Sequence, residues 1–297
     1  MSEEAAGFLA EALHGGSPPT AHGSEEEEKE DRRLEEEAEQ ARRAGSTEDA
    51  CLLSRKLLKW RRVHYGDTDE MTISAMDRLG AVLYSMAQDT DGALEVLLEA
   101  LAARRTTLGS DHPDTVSSMA NSGMVLRENG QLDEAESLLR EAAAAMATFR
   151  DGGDGDPKLH GELLMCRASL GSVLKEKGAL EEAEALLRQA TEGLREAMGE
   201  HAPPTLKTAV ELSLVLIAQG NVAEAEATLR DALHEARAGY GDDHPHVLAC
   251  ISHLGSLCHA KGDVEMALSL HQQVYESPSH TCTQGARRLE HLLHPSC

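Results

Sequence analysis

The residue types best suited to hold a metal are concentrated at the end of the chain, where His280, Cys282, His291, His294 and Cys297 follow one another. On one helix, His291 and His294 would offer two ring nitrogens on the same side to zinc. The spacing fits no structural zinc module, and the expectation is no metal. Asp151, Asp154 and Asp156 stand among glycines as in a calcium loop, but the full ligand spacing and its terminal glutamate are missing. The sequence contains no glycine-rich phosphate loop, no H-E-x-x-H and no Gly-x-Ser-x-Gly elbow. Carboxylates are abundant, but they recur at i, i+3 and i+4, as on solvated helix faces. The expectation is a protein with no cofactor and no catalytic constellation, not an enzyme. His112 and His244, each directly before a proline, are expected to cap or pack a turn.

The elements that carry these residues repeat. A glycine stands five residues before an alanine at Gly45/Ala50, Gly130/Ala135, Gly178/Ala183, Gly220/Ala225 and Gly262/Ala267. A degenerate copy ends at Ala93, with Ala87 or Gln88 in the glycine slot. From Gly178 to Gly220 to Gly262 the step is 42 residues each time, and from Gly130 to Gly178 it is 48. A fixed period of this length means a stacked array rather than one closed core. Each copy reads as two helices. In the clearest, Pro113 suits a first helical turn, with Asp111 or His112 as its cap. Apolar residues follow at Val116, Met119, Ala120, Met124 and Leu126, and Gly130 stops the helix. A second helix then runs through Ala135, Leu138, Leu139 and Ala142.

Composition agrees with helix pairs. Aromatic residues are only 2% of the 297, so small and aliphatic side chains must make the contacts. The formal charge of −24 argues against nucleic-acid and anionic-membrane partners. No stretch approaches the ~20 apolar residues of a membrane helix, so no membrane insertion is expected. The N-terminus lacks the pattern of a secretory signal, and the six cysteines include no CxxC pair. Reduced thiols in the cytoplasm follow as the default. The expected organisation is a disordered acidic segment over 1–28, whose FLAEAL could be a transient helix or a docking peptide, and a helical array over 29–274. A glycine- and aspartate-rich loop insert is expected at 149–162. A C-terminal tail, 275–297, includes the short helix-like ARRLEHLLH.

The phrases LGSDHPDT and YGDDHPHV, each opening a helix, and ENGQLDEAESLLREA after the first of them, resemble the tetratricopeptide repeat. More narrowly, they resemble the 42-residue variety of kinesin light chains and nephrocystin-like proteins. The resemblance covers about Lys29 to Val274. It implies an all-α fold, a right-handed superhelical solenoid of antiparallel helix pairs built from about six tetratricopeptide-like repeats. Its concave groove would bind a peptide or protein partner, which makes the chain an interaction scaffold or adaptor. The alternatives are a kinesin light chain-like cargo adaptor or a regulatory subunit of an enzyme complex. A kinesin heavy chain is not the favoured partner, because Ser24 to Ala44 lacks the sustained apolar a and d positions of a coiled coil.

In the resembling family an asparagine in the first helix of a repeat lines the groove and holds peptide backbone. Nine residues before the anchor glycine, that slot holds Asn121 in the third copy. Ser169, Glu211 and His253 occupy it in later copies, and Arg78 is the nearest match in the degenerate one. One turn earlier, Ser118, Cys166, Thr208 and Cys250 are expected to share the face.

Overall fold

A computed structural model describes residues 25–151 and 157–277, and every regular element in them is an α-helix. The chain divides into two compact units, 1–154 and 155–297. The first contains α1 (Glu25–Arg43), α2 (Thr47–Tyr65), α3 (Glu70–Ser85), α4 (Thr90–Thr107), α5 (Pro113–Glu128) and α6 (Leu132–Asp151). The second contains α7 (Pro157–Lys177), α8 (Leu180–Met198), α9 (Pro203–Ala218), α10 (Val222–Tyr240), α11 (Pro245–Ala260) and α12 (Val264–Glu276). Within each unit every helix packs on the next, so each is a stack of three antiparallel helix pairs. All-α stacking of antiparallel helix pairs, six pairs in the two units among the described residues, is the fold class that the repeats imply.

The local causes are legible residue by residue. The anchor glycines Gly45, Gly130, Gly178, Gly220 and Gly262 all adopt positive φ, which reverses the chain after the first helix of a pair. In the degenerate copy Gln88, not Ala87, takes this role, with φ 56°; it is the one non-glycine at positive φ among the described residues. The anchor alanines Ala50, Ala93, Ala135, Ala183 and Ala225 are completely buried, because the second helix leans on its neighbours there and leaves room only for a methyl group. His112, not Asp111, is the cap of α5: its Nδ1 accepts the Asp114 N–H at 3.3 Å, and His244 does the same for His246 in α11.

Three boundaries differ from the expected ones. The first helix begins at Glu25 rather than Lys29, since four glutamates are favourable at a positive helix end. The link between α6 and α7 is residues 152–156, shorter than the expected 149–162. The alanine run Ala142–Ala145 carries α6 onward to Asp151, and Pro157 opens α7 as a first-turn proline. The last helix runs past Val274 to Glu276. The FLAEAL peptide, Asp154, Asp156, the five metal-capable residues at the C-terminal end and ARRLEHLLH lie outside the described residues.

Candidate functional site

In unit 1, the slot eleven residues after the anchor alanine holds arginine twice and an apolar residue once: Arg61, Arg104 and Met146. Both arginines are driven into the stack and neutralised there. Arg61, 1% exposed, donates through Nε and Nη2 to the two oxygens of Asp31 at 2.7 and 2.9 Å. It also reaches Glu35 at 2.7 Å and the Met71 carbonyl at 3.0 Å, tying α2 to both α1 and α3. The other Glu35 oxygen takes the guanidinium of Arg78 on α3. Arg104 donates to Asp77 and to the Ser118 hydroxyl, both at 2.5 Å, and to Glu70 at 3.1 Å, tying α4 to α3 and α5. Burial pushes the Asp77 carboxyl up from its ordinary range, against the pull of the Arg104 cation beside it. Its Oδ1 and the Arg104 Nε are buried without hydrogen-bond partners.

The predicted slot residues divide by whether the protein already occupies them. Arg78 is taken by Glu35. Ser118 is held between Arg104 and the Asp114 carbonyl, to which it donates at 3.0 Å. Ser169 donates to its own helix at Met165, 3.1 Å. Glu211 accepts from Lys175 at 2.7 Å across α7 and α9. His253 is half-buried. Asn121 differs from all of these. It is 6% exposed, yet its side-chain amide has no hydrogen-bond partner among the described residues.

The residues one turn earlier do not share a surface with that slot. Cys166, Thr208 and Cys250 are buried like Ser118, because a three-residue step turns the side chain ~60° around the helix; Ser118 there meets Arg104 of the preceding pair. Burial pushes the Cys166 thiol up to about 12. Thiol alkylation of the native protein at pH 8 should therefore modify half-exposed Cys51 well before Cys166 or Cys250, as read by peptide mass mapping. Cys166 alkylating as fast in the native protein as in urea would show that this packing is wrong.

The sequence reading missed the two arginine networks. The available signal was the charged residue in a slot that is apolar at Met146, Leu194 and Ala236 in later copies. In unit 2, a cleft of about 560 Å³ opens among α8, α9 and α10, floored by Leu206, Ala209 and Leu212. Its rim is closed by internal pairs, Arg188 to Glu224 at 2.7 Å and Arg195 to Glu192 at 2.9 Å. Among the described residues, no group of three or more potential ligands could hold a metal ion, and no helix is long and apolar enough to cross a membrane.

Helix pairs of fixed period, an anchor glycine at positive φ and a buried anchor alanine define a tetratricopeptide-repeat protein, and the chain belongs to that family. Family descriptions of the tetratricopeptide repeat match residues 81–148, 204–277 and 163–203, together more than half of the chain. Solved structures of similar fold include repeats of the kinesin-light-chain type. One, of kinesin light chain nearly identical TPR-like repeats from Podosopora anserina, is 23% identical with a TM-score of 0.56. That match covers 75% of this chain and 97% of the other. BtubC (BKLC) from P. vanneervenii is 18% identical, TM-score 0.55, over 89% of this chain and 94% of its own. NprR in complex with its cognate peptide NprX is 12% identical, TM-score 0.63, over 99% of this chain and 78% of its own. At these identities the likeness is one of fold. The comparison with curated proteins found no match.

Proposed function

We propose that the chain is a protein-interaction scaffold that holds an extended peptide on the face formed by the first helices of its repeats, with Asn121 as the contact to peptide backbone. The observation that carries this reading is the unpartnered amide of Asn121. A primary amide has two donors and an acceptor, and the neighbouring side chains use none of those of Asn121, which leaves them open to a ligand. An extended peptide supplies the complementary C=O and N–H pair. Arg78 would flank the ligand in the same unit, exchanging its present internal partner or adding to it, and Ser169, Glu211 and His253 hold the corresponding slots of the second unit. The NprR structure, a fold of the same kind holding a peptide, supports the reading. No catalytic role enters it. It extends to a cytoplasmic setting, supported by Cys51, Cys166, Cys250 and Cys258, which form no disulfide among the described residues.

The test is to pan a displayed random peptide library on the full chain and to compare the selected peptides on Asn121→Ala. Losing a paired donor and acceptor should weaken binding about tenfold, with helicity unchanged by circular dichroism. Failure to select any peptide, or equal affinity for the variant, would overturn the assignment.

A further inference from the structure

The outer face of α2 differs from those of the other second helices in unit 1. Leu52, Lys56, Lys59 and Val63 stand at i, i+4, i+7 and i+11 on one exposed stripe, with Arg55 beside it. Val63 is 73% exposed and Leu52 66%, among the most exposed large apolar side chains described. This is no end effect, because α2 packs between α1 and α3. Arg55, Lys56 and Lys59 have no hydrogen bond or ion pair among the described residues. The corresponding slots of α4 carry Glu95, Glu99, Ala102 and Thr106 instead, with Leu98 in the slot of Arg55. On α6 they carry Ser137, Glu141 and Ala144, and Arg140, in the slot of Arg55, is held by Glu136. In a chain of net charge −24, three free cations bracketed by bare Leu52 and Val63 form a surface suited to an acidic segment with apolar side chains.

We infer that this surface is the docking site of the chain's own N-terminal segment, residues 2–13, SEEAAGFLAEAL. Glu3, Glu4 and Glu11 match the three cations in number and sign, and Phe8, Leu9 and Leu13 supply the apolar side chains for Leu52 and Val63. The segment contains no lysine or arginine to oppose the pairing. The tether also fits. Helices α1 and α2 are antiparallel, as the Asp31–Arg61 pair shows, so Glu25 lies at the Tyr65 end of α2. The stripe from Leu52 to Val63 is ~16 Å long. The residues between Leu13 and Glu25 can span up to ~35 Å, enough to reach either end of it. Docking covers the two apolar side chains and neutralises a cation stripe that the fold leaves open. It therefore keeps the surface from other acidic partners until one displaces the segment.

The inference is independent of the Asn121 reading and is tested on the intact chain. Amine-reactive labelling, mapped by mass spectrometry, should modify Lys56 and Lys59 about tenfold more slowly than exposed Lys177 if about nine-tenths of the molecules are docked. In 1 M salt, where charges are screened beyond about 3 Å, the difference should vanish. Replacing Glu3, Glu4 and Glu11 with lysine should abolish it as well. A zero-length carbodiimide should join Glu3, Glu4 or Glu11 to Lys56 or Lys59 within a monomer. Equal labelling of Lys56, Lys59 and Lys177 in low salt would overturn the inference. So would crosslinks found only between two copies, which would make the stripe a self-association surface.

Discussion

Asp31→Ala will destabilise the first helix pair of unit 1 by about 3–5 kcal/mol, an amount sufficient to release α1 from the stack. The size follows from what remains. Arg61 would keep its position at 1% exposure but would lose the bond from its Nε and one of the two from its Nη2, leaving Glu35 alone to balance a buried cation. The worn apolar face of α1 cannot compensate: its buried apolar residues are only Leu34, Ala38 and Ala41. Arg61→Met with Asp31→Leu should recover most of the loss, because methionine already stands in the same slot at Met146, fully buried. Hydrogen exchange of α1 and α2 amides, together with denaturant unfolding followed by circular dichroism, measures both variants. If Asp31→Ala costs less than about 1 kcal/mol, the pair is merely a surface bridge. If the double replacement is as damaging as the single one, the ion pair is needed for geometry and not only for charge balance.

The contrast between Arg61 and Met146 also marks what could be read from the sequence. Period, anchor glycine and anchor alanine were legible because they are backbone and volume requirements that recur in every copy. Even the choice between Ala87 and Gln88 turned only on which residue tolerates positive φ. The arginine networks were not legible because they depend on partners from three helices at once: Asp31 and Glu35 lie thirty and twenty-six residues before Arg61, in no fixed relation to the repeat. Position alone placed Asn121, Arg78, Ser169, Glu211 and His253 on corresponding turns of the first helices. Whether each amide, cation or carboxylate is already used depends on a neighbour a whole repeat away, as with Lys175 and Glu211. The residues one turn earlier were misread for a simpler reason. A polar or thiol side chain at a three-residue step gives no sign in sequence of which side of the helix its neighbours cover, and here Ser118, Cys166, Thr208 and Cys250 are all buried.

A second large effect is expected where first and second helices cross. Gly123 lies on α5, and a Cβ built there would stand 2.7 Å from Leu139 Cγ and 2.9 Å from its Cδ2. Leu139 is fully buried and cannot swing into solvent. Alanine in a helix interior is ordinarily favoured over glycine by about 1 kcal/mol. Here the overpacking, about 1–3 kcal/mol, should outweigh that gain, and Gly123→Val should do worse because its branched side chain adds bulk at the same point. Leu139→Ala alone should cost about 2–5 kcal/mol by opening a cavity. If the two residues share one space, Gly123→Ala in the Leu139→Ala background becomes neutral or stabilising, so the double variant is more stable than the sum of the single ones allows. Strict additivity in denaturant unfolding would show that they do not compete. Unit 2 supplies an internal control. Gly171 meets Leu187 at 2.7 Å in the same way, but the equivalent slot of α9 holds Ser213, already carrying a Cβ and donating its hydroxyl to Val210 at 2.6 Å. Ser213→Ala should therefore change stability by no more than about the one hydrogen bond lost, ~1 kcal/mol, whereas Gly171→Ala should repeat the Gly123 result. The same residue, alanine, introduced at equivalent slots of two adjacent helix pairs, then separates a steric requirement of the individual crossing from a general property of the repeat.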